Sequence, residues 1–595
     1  MNPRGRLRLS LLLLLLAVLA AQLPLARVMQ FHHPDERYYT AAAQLPLACV
    51  MQFHHPDERY YTDAALLMTE SGDYWTPRFY DGTLRPHKPL LTYWAIAGSF
   101  RLFGVSMLSA RLPSLFAGSL LLVLTGGLAW VATRRRETVL LAACLVASQY
   151  TFVLCSNRAT PDIFLTAALT LGFTGLFRGL RRGTADFAAR LMLLAGAALA
   201  VMAKGLLGLV FLAFAASLLR QAYRGRRPWR LLVLVTWLFL VTGWFIFMAT
   251  KHNVHFIAGF LYDQVIGRFL KDVWWHKPLN VIGYLLLIPV LFLPWWPLLW
   301  RAGCRSRLLA LLRPPRERWV SASGLWMLVC TVVFGLGNKL TARYVFSAVP
   351  LLAVLLATAI AKPGETDGAS PTSARRRLPL ALAPALLLVL LIALLSLPAT
   401  GGPAPTQMLP ATALAVTLAL TVTLVRLAPP ALSAAVGWST LGLALLPLAA
   451  LVMHVPFNGG IEQRLPGVIA RMHQEDPSLR GPVICSVHPA ALSRARLVAG
   501  HALPVIPARE VGTNAVPAAV RVRLISELDR TTPARAEFVT RSTVRLPVGS
   551  SSEIRQAWRA RGLPPWLWLP SLLREGTPSA AFRIETRAAS AGATK

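Results

Sequence analysis

The sequence predicts an all-α polytopic membrane protein of about thirteen transmembrane helices with a small α/β domain at its C-terminal end. Three observations carry this. Of 595 residues, 55% are hydrophobic and only 15% charged, with a mean hydropathy of +0.52, more apolar surface than a water-soluble globule of this length can bury. Apolar runs of roughly 20 residues alternate with short arginine-rich links, the pattern of bilayer crossings and cytoplasmic loops. After Met453 the runs become too short to span, and arginines are scattered among them. Lys plus Arg number 61 against 26 acids, a net charge of +35 that raises the question of nucleic acid. Loop sidedness accounts for the basic residues, so no nucleic-acid partner is expected. The six cysteines, among them Cys144, Cys155 and Cys330, show neither CxxC spacing nor a disulfide framework.

The elements follow in order. MNPRGRLR precedes LSLLLLLLAVLAAQLPLA, which puts the amino terminus inside and brings the chain out near residue 27. A cleaved secretory signal has the same pattern, and both readings place the next segment outside. That segment is a first periplasmic loop at 27–107, followed by a crossing at 108–133. Basic clusters at Arg134 to Arg136, at Arg178, Arg181 and Arg182, from Arg224 to Arg230, from Arg301 to Arg318 and at Arg375 to Arg377 mark the cytoplasmic side. Paired crossings lie between them at 138–156 and 161–178, 186–203 and 205–219, 230–250 and 279–300, 319–336 and 344–361. Three more follow at 378–398, 407–427 and 431–453. Residues 1–453 form the membrane domain and 454–595 a periplasmic domain, which carries short apolar runs such as PVICSV from Pro482 and RLVAGHALPVI from Arg496 and reads as small α/β. WLWLPSLL at Trp566 is too short to span and suits contact with the bilayer surface.

The turns joining each pair of crossings share a face with the first loop. They are SNRATPD (Ser156 to Asp162), AKG (Ala203 to Gly205), the stretch His252 to Pro278, and GNKLTARY (Gly337 to Tyr344). Nearly every unusual polar residue falls there: Asp57 and Glu58 with Tyr60 and Tyr61, His87-Lys88-Pro89, Asp162, and the cations Lys204, Arg268, Lys339 and Arg343. A transporter would place ionisable groups near the midplane, often within repeated halves, and the sequence has neither feature. Acids beside cations at a membrane surface suit transfer chemistry on a phosphorylated lipid. Arginine offers phosphate a bidentate fork and lysine a point charge. A carboxylate can take a proton from an acceptor or stabilise positive charge developing on a sugar ring. Each residue also has a plainer reading: Asp57 and Glu58 as solvated loop acids, Lys204 snorkelling from a helix end, Asp162 as an N-cap, Arg268 anchoring to headgroups. The pairs Trp274-Trp275 and Trp295-Trp296 fit aromatic belts at the membrane interface.

The stretch DERYYTDAALLMTESGDYWTPRFYDGTLRPHKPLLTYWAIAGSFRLFGVSMLSARLPS, Asp57 to Ser114, resembles the signature of the ArnT-like and protein-mannosyltransferase glycosyltransferases of the GT-C class. ATPD at Ala159, MAKG at Met202, RF at Arg268, PWW at Pro294 and the run KLTARYVFSAVP from Lys339 sit where that family has its motifs. The resemblance covers residues 45–360 and extends to the rest only by topology. It implies a sugar donor carried on a polyprenyl phosphate and inverting transfer outside the bacterial inner membrane, with no cofactor beyond a divalent metal. In the ArnT branch the sugar is 4-amino-4-deoxy-arabinose on undecaprenyl phosphate and the acceptor a lipid A phosphate. The resemblance makes Asp57 the catalytic carboxylate, with Glu58 beside it and Asp162 a second acid. Lys88, Lys204 and Arg268 become the phosphate clamp, completed by Arg343 or Tyr344 and by Tyr61. His87 stands where the family often has Glu, and would replace it as a nitrogen ligand if that acid holds a metal. Protein O-mannosyltransferase is the alternative acceptor chemistry, and a lipid or glycan flippase the alternative of another class.

One further feature is internal to the chain. AQLPLARVMQFHHPDERYYTAA from Ala21 is followed at once by AQLPLACVMQFHHPDERYYTDA from Ala43, so Asp57 has a duplicate in Asp35. Asp57 runs directly into the next helix, DAALLMTESGDYW, whereas Asp35 runs only into the second copy. Continuity favours Asp57, whereas Asp35 lies at the resembled family's usual short distance beyond the first membrane span; the apolar centre of the extra unit, Ala41 to Met51, is too short to cross a bilayer.

Overall fold

The structure, a computed structural model, describes residues 57–80, 82–182, 186–222, 242–252, 255–262, 266–267, 276–292, 295, 302–313, 317–337, 341–361, 461–479, 483–486, 505–507, 522–526, 538–547 and 579–587. The first membrane run, the duplicate containing Asp35, the cations Arg268 and Lys339, the crossings expected at 378–453 and the Trp566 run lie outside these residues.

Five helices among the described residues are long and apolar enough to cross a membrane: Ser109–Thr133, Pro161–Arg181, Phe187–Lys204, Arg318–Gly337 and Ala342–Ile360. Each matches an expected crossing. Their ends follow from local chemistry. Ser106 and Ser109 form a reciprocal capping box that starts Met107–Thr133, and Arg134 stops it in the left-handed region at φ 59°. Asp186 caps Phe187–Lys204 by accepting from the Ala189 amide at 2.9 Å, and Gly205, at φ 74°, ends it.

Two boundaries differ from expectation. The crossing expected at 138–156 is two helices, Arg136–Ala147 and Tyr150–Ser156. Ser148 and Gln149 turn their side chains back onto the Leu145 carbonyl, both at 3.2 Å, which gives the backbone an alternative to the helical ladder. Trp295 then donates to Ser148 Oγ at 2.8 Å and holds the break. The first loop contains two helices of its own, Asp57–Ser71 and the apolar Leu91–Phe103, packed on each other.

The bundle packs through small residues, as membrane helices do when no hydrophobic force draws them together. A Cβ on Gly196 would meet the Gly172 amide nitrogen and, at 2.6 Å, the Ala168 carbonyl oxygen, so Pro161–Arg182 and Phe187–Lys204 approach at backbone contact. Phe173, Phe211, Phe214 and Trp326 fill the neighbouring space edge to face, with Phe173 and Phe211 centroids 4.8 Å apart.

Charged side chains gather at both ends of the helices. At one end Arg178 grips Asp186, Arg181 donates to the carbonyls of Val131 and Ala132 at 3.0 Å, and Arg307 donates to the Ala359 carbonyl at 2.7 Å. Arg181 and Arg307 satisfy bare carbonyls of helix C-termini, where a cation is electrostatically favoured. The opposite end carries Lys204, Asp162 and Arg343.

In the C-terminal part, β1 (Val483–Cys485) pairs in parallel with β2 (Val505–Pro507) and β3 (Val522–Ser526). β5 (Ser579–Arg587) runs antiparallel to β3 and to β4 (Phe538–Pro547), giving the order β2-β1-β3-β5-β4. The helix Ile461–Glu475 packs against β4. Arg523 and Glu585, directly opposed across β3 and β5, form a buried ion pair at 3.3 Å.

Candidate active site

The site begins with a helical hairpin. Pro161–Arg182 and Phe187–Lys204 have 22 and 18 residues and a short link, so the first turn of one lies beside the last turn of the other. Asp162 occupies that first turn and Lys204 is that last residue. An acid at a helix N-terminus and a cation at a C-terminus each complement the macrodipole. The two meet as an ion pair, with side chains 4% and 11% exposed.

The turn after Arg318–Gly337 closes over this pair. Arg343 Nη1 reaches Asp162 Oδ2 at 3.8 Å. Tyr344 stacks face to face on Phe334, centroids 5.0 Å apart at 8°, and Lys204 Nζ lies 4.6 Å from the Tyr344 centroid. Arg343 is 5.1 Å from the same ring. Tyr284 accepts from the Thr341 amide at 3.1 Å, which fixes the start of the turn. Asp162, Lys204, Arg343 and Tyr344, distant in sequence, thus form one cluster.

The helix that Asp57 opens is tied to the same place. Glu58 is fully buried and takes two parallel hydrogen bonds from Arg111, Nε to Oε1 at 2.6 Å and Nη2 to Oε2 at 2.7 Å. Its Oε1 also accepts from the Ala159 amide at 2.9 Å, three residues before Asp162. Each oxygen of Glu58 is therefore engaged by the protein, so this carboxylate orients its helix against the 159–162 turn. Arg111 was missed from sequence. A charged residue inside the apolar 27-residue helix Met107–Thr133 is the signal that could have found it, since such a residue needs a partner.

The loop from 72 to 90 packs on that helix through a second arginine. Arg85 is buried, donates from Nε to Tyr93 Oη at 2.8 Å, and lies 4.6, 5.3 and 5.1 Å from the ring centroids of Tyr60, Tyr61 and Phe79. Tyr61 is buried 5.2 Å from Tyr93. His87 sits edge-on to Phe79 at 5.5 Å and Lys88 follows it, half-buried. No group of three or more His, Cys, Asp or Glu side chains converges among the described residues.

The outer part of the loop docks on the helical stretch 242–252. Trp244 donates to the Trp75 carbonyl at 3.1 Å, and Lys251 Nζ reaches Asp73 Oδ2 at 3.2 Å and Thr76 Oγ1 at 3.1 Å. Burial raises the Asp73 carboxyl, but hydrogen bonds from Thr76, Lys251 and the Trp75 amide outweigh it and hold the group below the ordinary carboxylate value. Burial and then the charges of Lys251 and Arg78 lower His252, against a smaller opposing effect of Asp73.

Residues 40–260 match the family model PMT, Dolichyl-phosphate-mannose-protein mannosyltransferase. Two uncharacterized proteins of Aquifex aeolicus (strain VF5) are 28% and 27% identical over 300 and 303 residues, 49% of this chain in each case. These matches cover 56% and 64% of the relatives, so the chain spans less than two thirds of their length. The crystal structure of ArnT from Cupriavidus metallidurans bound to undecaprenyl phosphate superposes with a TM-score of 0.57 at 19% identity, over 87% of this chain and 92% of that one. Residues 40–260 are thus similar to the mannosyltransferase family, and the fold is similar to that of ArnT.

Proposed function

We propose that the protein transfers a sugar from a polyprenyl phosphate to an acceptor on the periplasmic face of the bacterial inner membrane. The observation that carries this is the convergence of Asp162, Lys204, Arg343 and Tyr344 at the bundle end to which Glu58 ties the Asp57 helix. Cations at a helix terminus beside a half-open aromatic ring suit the phosphate of a lipid-linked donor, and the ArnT structure of similar fold holds undecaprenyl phosphate.

In the step itself the acceptor oxygen attacks the anomeric carbon from the face opposite the phosphate, and the bond from that carbon to the phosphate oxygen breaks with inversion. Lys204 and Arg343, joined by Lys88 and Arg268, neutralise the polyprenyl phosphate as it leaves, and Tyr61 adds a hydrogen bond to it. Asp57 takes the proton of a hydroxyl acceptor or, for a phosphate acceptor, stabilises the positive charge on the ring. Glu58 holds Asp57 in place through Arg111 and Ala159. The sugar we favour is 4-amino-4-deoxy-L-arabinose or a relative, delivered to a lipid A phosphate, because the matched fold covers 92% of the ArnT chain. A protein hydroxyl is the second reading, favoured by the mannosyltransferase match.

The test is lipid A mass spectrometry in cells lacking the protein, complemented with the native chain or Asp57→Asn, insertion of both verified. An aminopentose mass shift present with the native chain and lost with Asp57→Asn is expected. Absence of any shift moves the acceptor to protein, and a shift retained by Asp57→Asn overturns the role of that carboxylate.

A further inference from the structure

Trp75 has no part in the cluster around Asp162, yet it is held rigidly with 50% of its surface open. Two indole N–H groups fix the backbone on either side of its Cα, Trp94 donating to the Tyr74 carbonyl at 2.7 Å and Trp244 to the Trp75 carbonyl at 3.1 Å. Its ring is braced edge-on by Trp94 at 5.4 Å and at 59° by Phe247 at 5.6 Å. A tryptophan whose burial were its purpose would not be braced so fully and left half exposed.

Its surroundings are cationic. Lys251 and His252 end the helical stretch 242–252 beside the Trp75 loop, Thr76 lies 3.4 Å from His252 Nε2, and Arg78 donates to the Gly82 carbonyl at 2.9 Å. Asp73 pairs with Lys251 and opposes only in part the positive potential on His252. Lys251 and Arg78 both impose positive potential on His252. One turn before Lys251 the same helical stretch turns Ile246 and Phe247 outward.

We infer that Trp75, Lys251, His252 and Arg78 form a docking site for the headgroup of the acceptor, a phosphorylated sugar carried on a lipid. This inference rests on the proposed transfer reaction. A sugar ring presents C–H bonds of slight positive charge that pair with the negative face of an indole. Lys251 and Arg78 supply charge-assisted hydrogen bonds to its phosphate. Ile246 and Phe247 lie where an acyl chain would continue toward the bilayer, which a water-soluble phosphosugar lacks. Asp73 positions Lys251 and must share it with the ligand.

The experiment is equilibrium binding to the full-length protein in nanodiscs, with no transfer reaction needed, so it can fail or succeed apart from the reading of the active site. The probes are a diphosphorylated glucosamine-disaccharide lipid, its dephosphorylated form, the deacylated disaccharide bisphosphate, and undecaprenyl phosphate. Trp75→Ala and Lys251→Gln are each expected to weaken the diphosphorylated lipid about tenfold, as loss of a central aromatic or of a charged hydrogen bond does, with undecaprenyl phosphate unchanged. Trp75→Phe, which keeps a ring in the same brace, should bind close to the native protein. Unchanged binding in both variants, equal loss of undecaprenyl phosphate, or equal binding of the dephosphorylated lipid would overturn the site. Equal binding of the deacylated disaccharide would overturn the lipid as its carrier.

Discussion

Glu58 and Arg111 lie 53 residues apart and face each other through two hydrogen bonds of 2.6 and 2.7 Å, with side chains 1% and 0% exposed. The pair joins the helix opened by Asp57 to a membrane-spanning helix, and Glu58 adds the Ala159 turn. Breaking a buried pair by removing one partner leaves an uncompensated charge, at a cost of about 3–5 kcal/mol. Arg111→Met is expected to lower thermal stability in detergent by that order, and Glu58→Gln with Arg111→Met to recover part of it. A single Glu58→Gln that lost transfer at full stability would show chemistry rather than positioning.

At the donor site, Lys204→Met removes one charged contact to phosphate, worth about 1.5–3 kcal/mol. Donor affinity should fall roughly 10–100-fold, read by titrating undecaprenyl phosphate into the purified protein. Asp162→Asn is expected to keep donor affinity closer to native, because Lys204 and Arg343 both remain.

Gly196 has the Ala168 carbonyl oxygen 2.6 Å from where its Cβ would stand. Gly196→Leu should therefore open the hairpin that brings Asp162 to Lys204, costing about 1–3 kcal/mol from overpacking. Melting temperature and transfer activity should fall together; a loss of activity alone would contradict the packing argument.

Acidification should loosen the 72–78 loop in two stages. His252 has a folded value below its unfolded one near pH 6.5, so its contribution is complete above about 6.5 and is lost as pH falls toward the folded value. Asp73 is lowered too, so its contribution holds above about pH 3.9 and is lost as pH falls through its own folded value. Hydrogen exchange of the loop should rise on both limbs. His252→Gln should abolish the upper one and Asp73→Asn the lower.

Deleting Ala21 to Ala42, one whole copy of the repeat, should leave transfer unchanged, because Asp57 keeps its connection to the helix that carries it. Loss of activity in the same lipid A assay would make Asp35 the working copy.

The five apolar spans among the described residues were legible in the sequence, because a bilayer enforces run length and loops segregate charge. The turns AKG and GNKLTARY could be placed on one face with SNRATPD before any contact was seen. The helix break at Ser148 was not legible, since 138–156 reads as uninterrupted apolar sequence and only the side-chain bonds to Leu145 and Trp295 decide it. Nor was the partner of Glu58. Two adjacent acids look alike in a string, and only the fold turns Glu58 onto Arg111.

By itself, then, the sequence determined which segments are apolar enough to span, where the arginines sit between them, and which motifs mark the face of the site, because each is a property of contiguous residues. Only the tertiary structure decided that Asp162 pairs with Lys204 beside Tyr344, that Glu58 belongs to Arg111, and that Trp75 is braced yet half open. Those are distances between segments far apart in the chain, set by backbone contact at Gly196 and by buried charges that had to find partners.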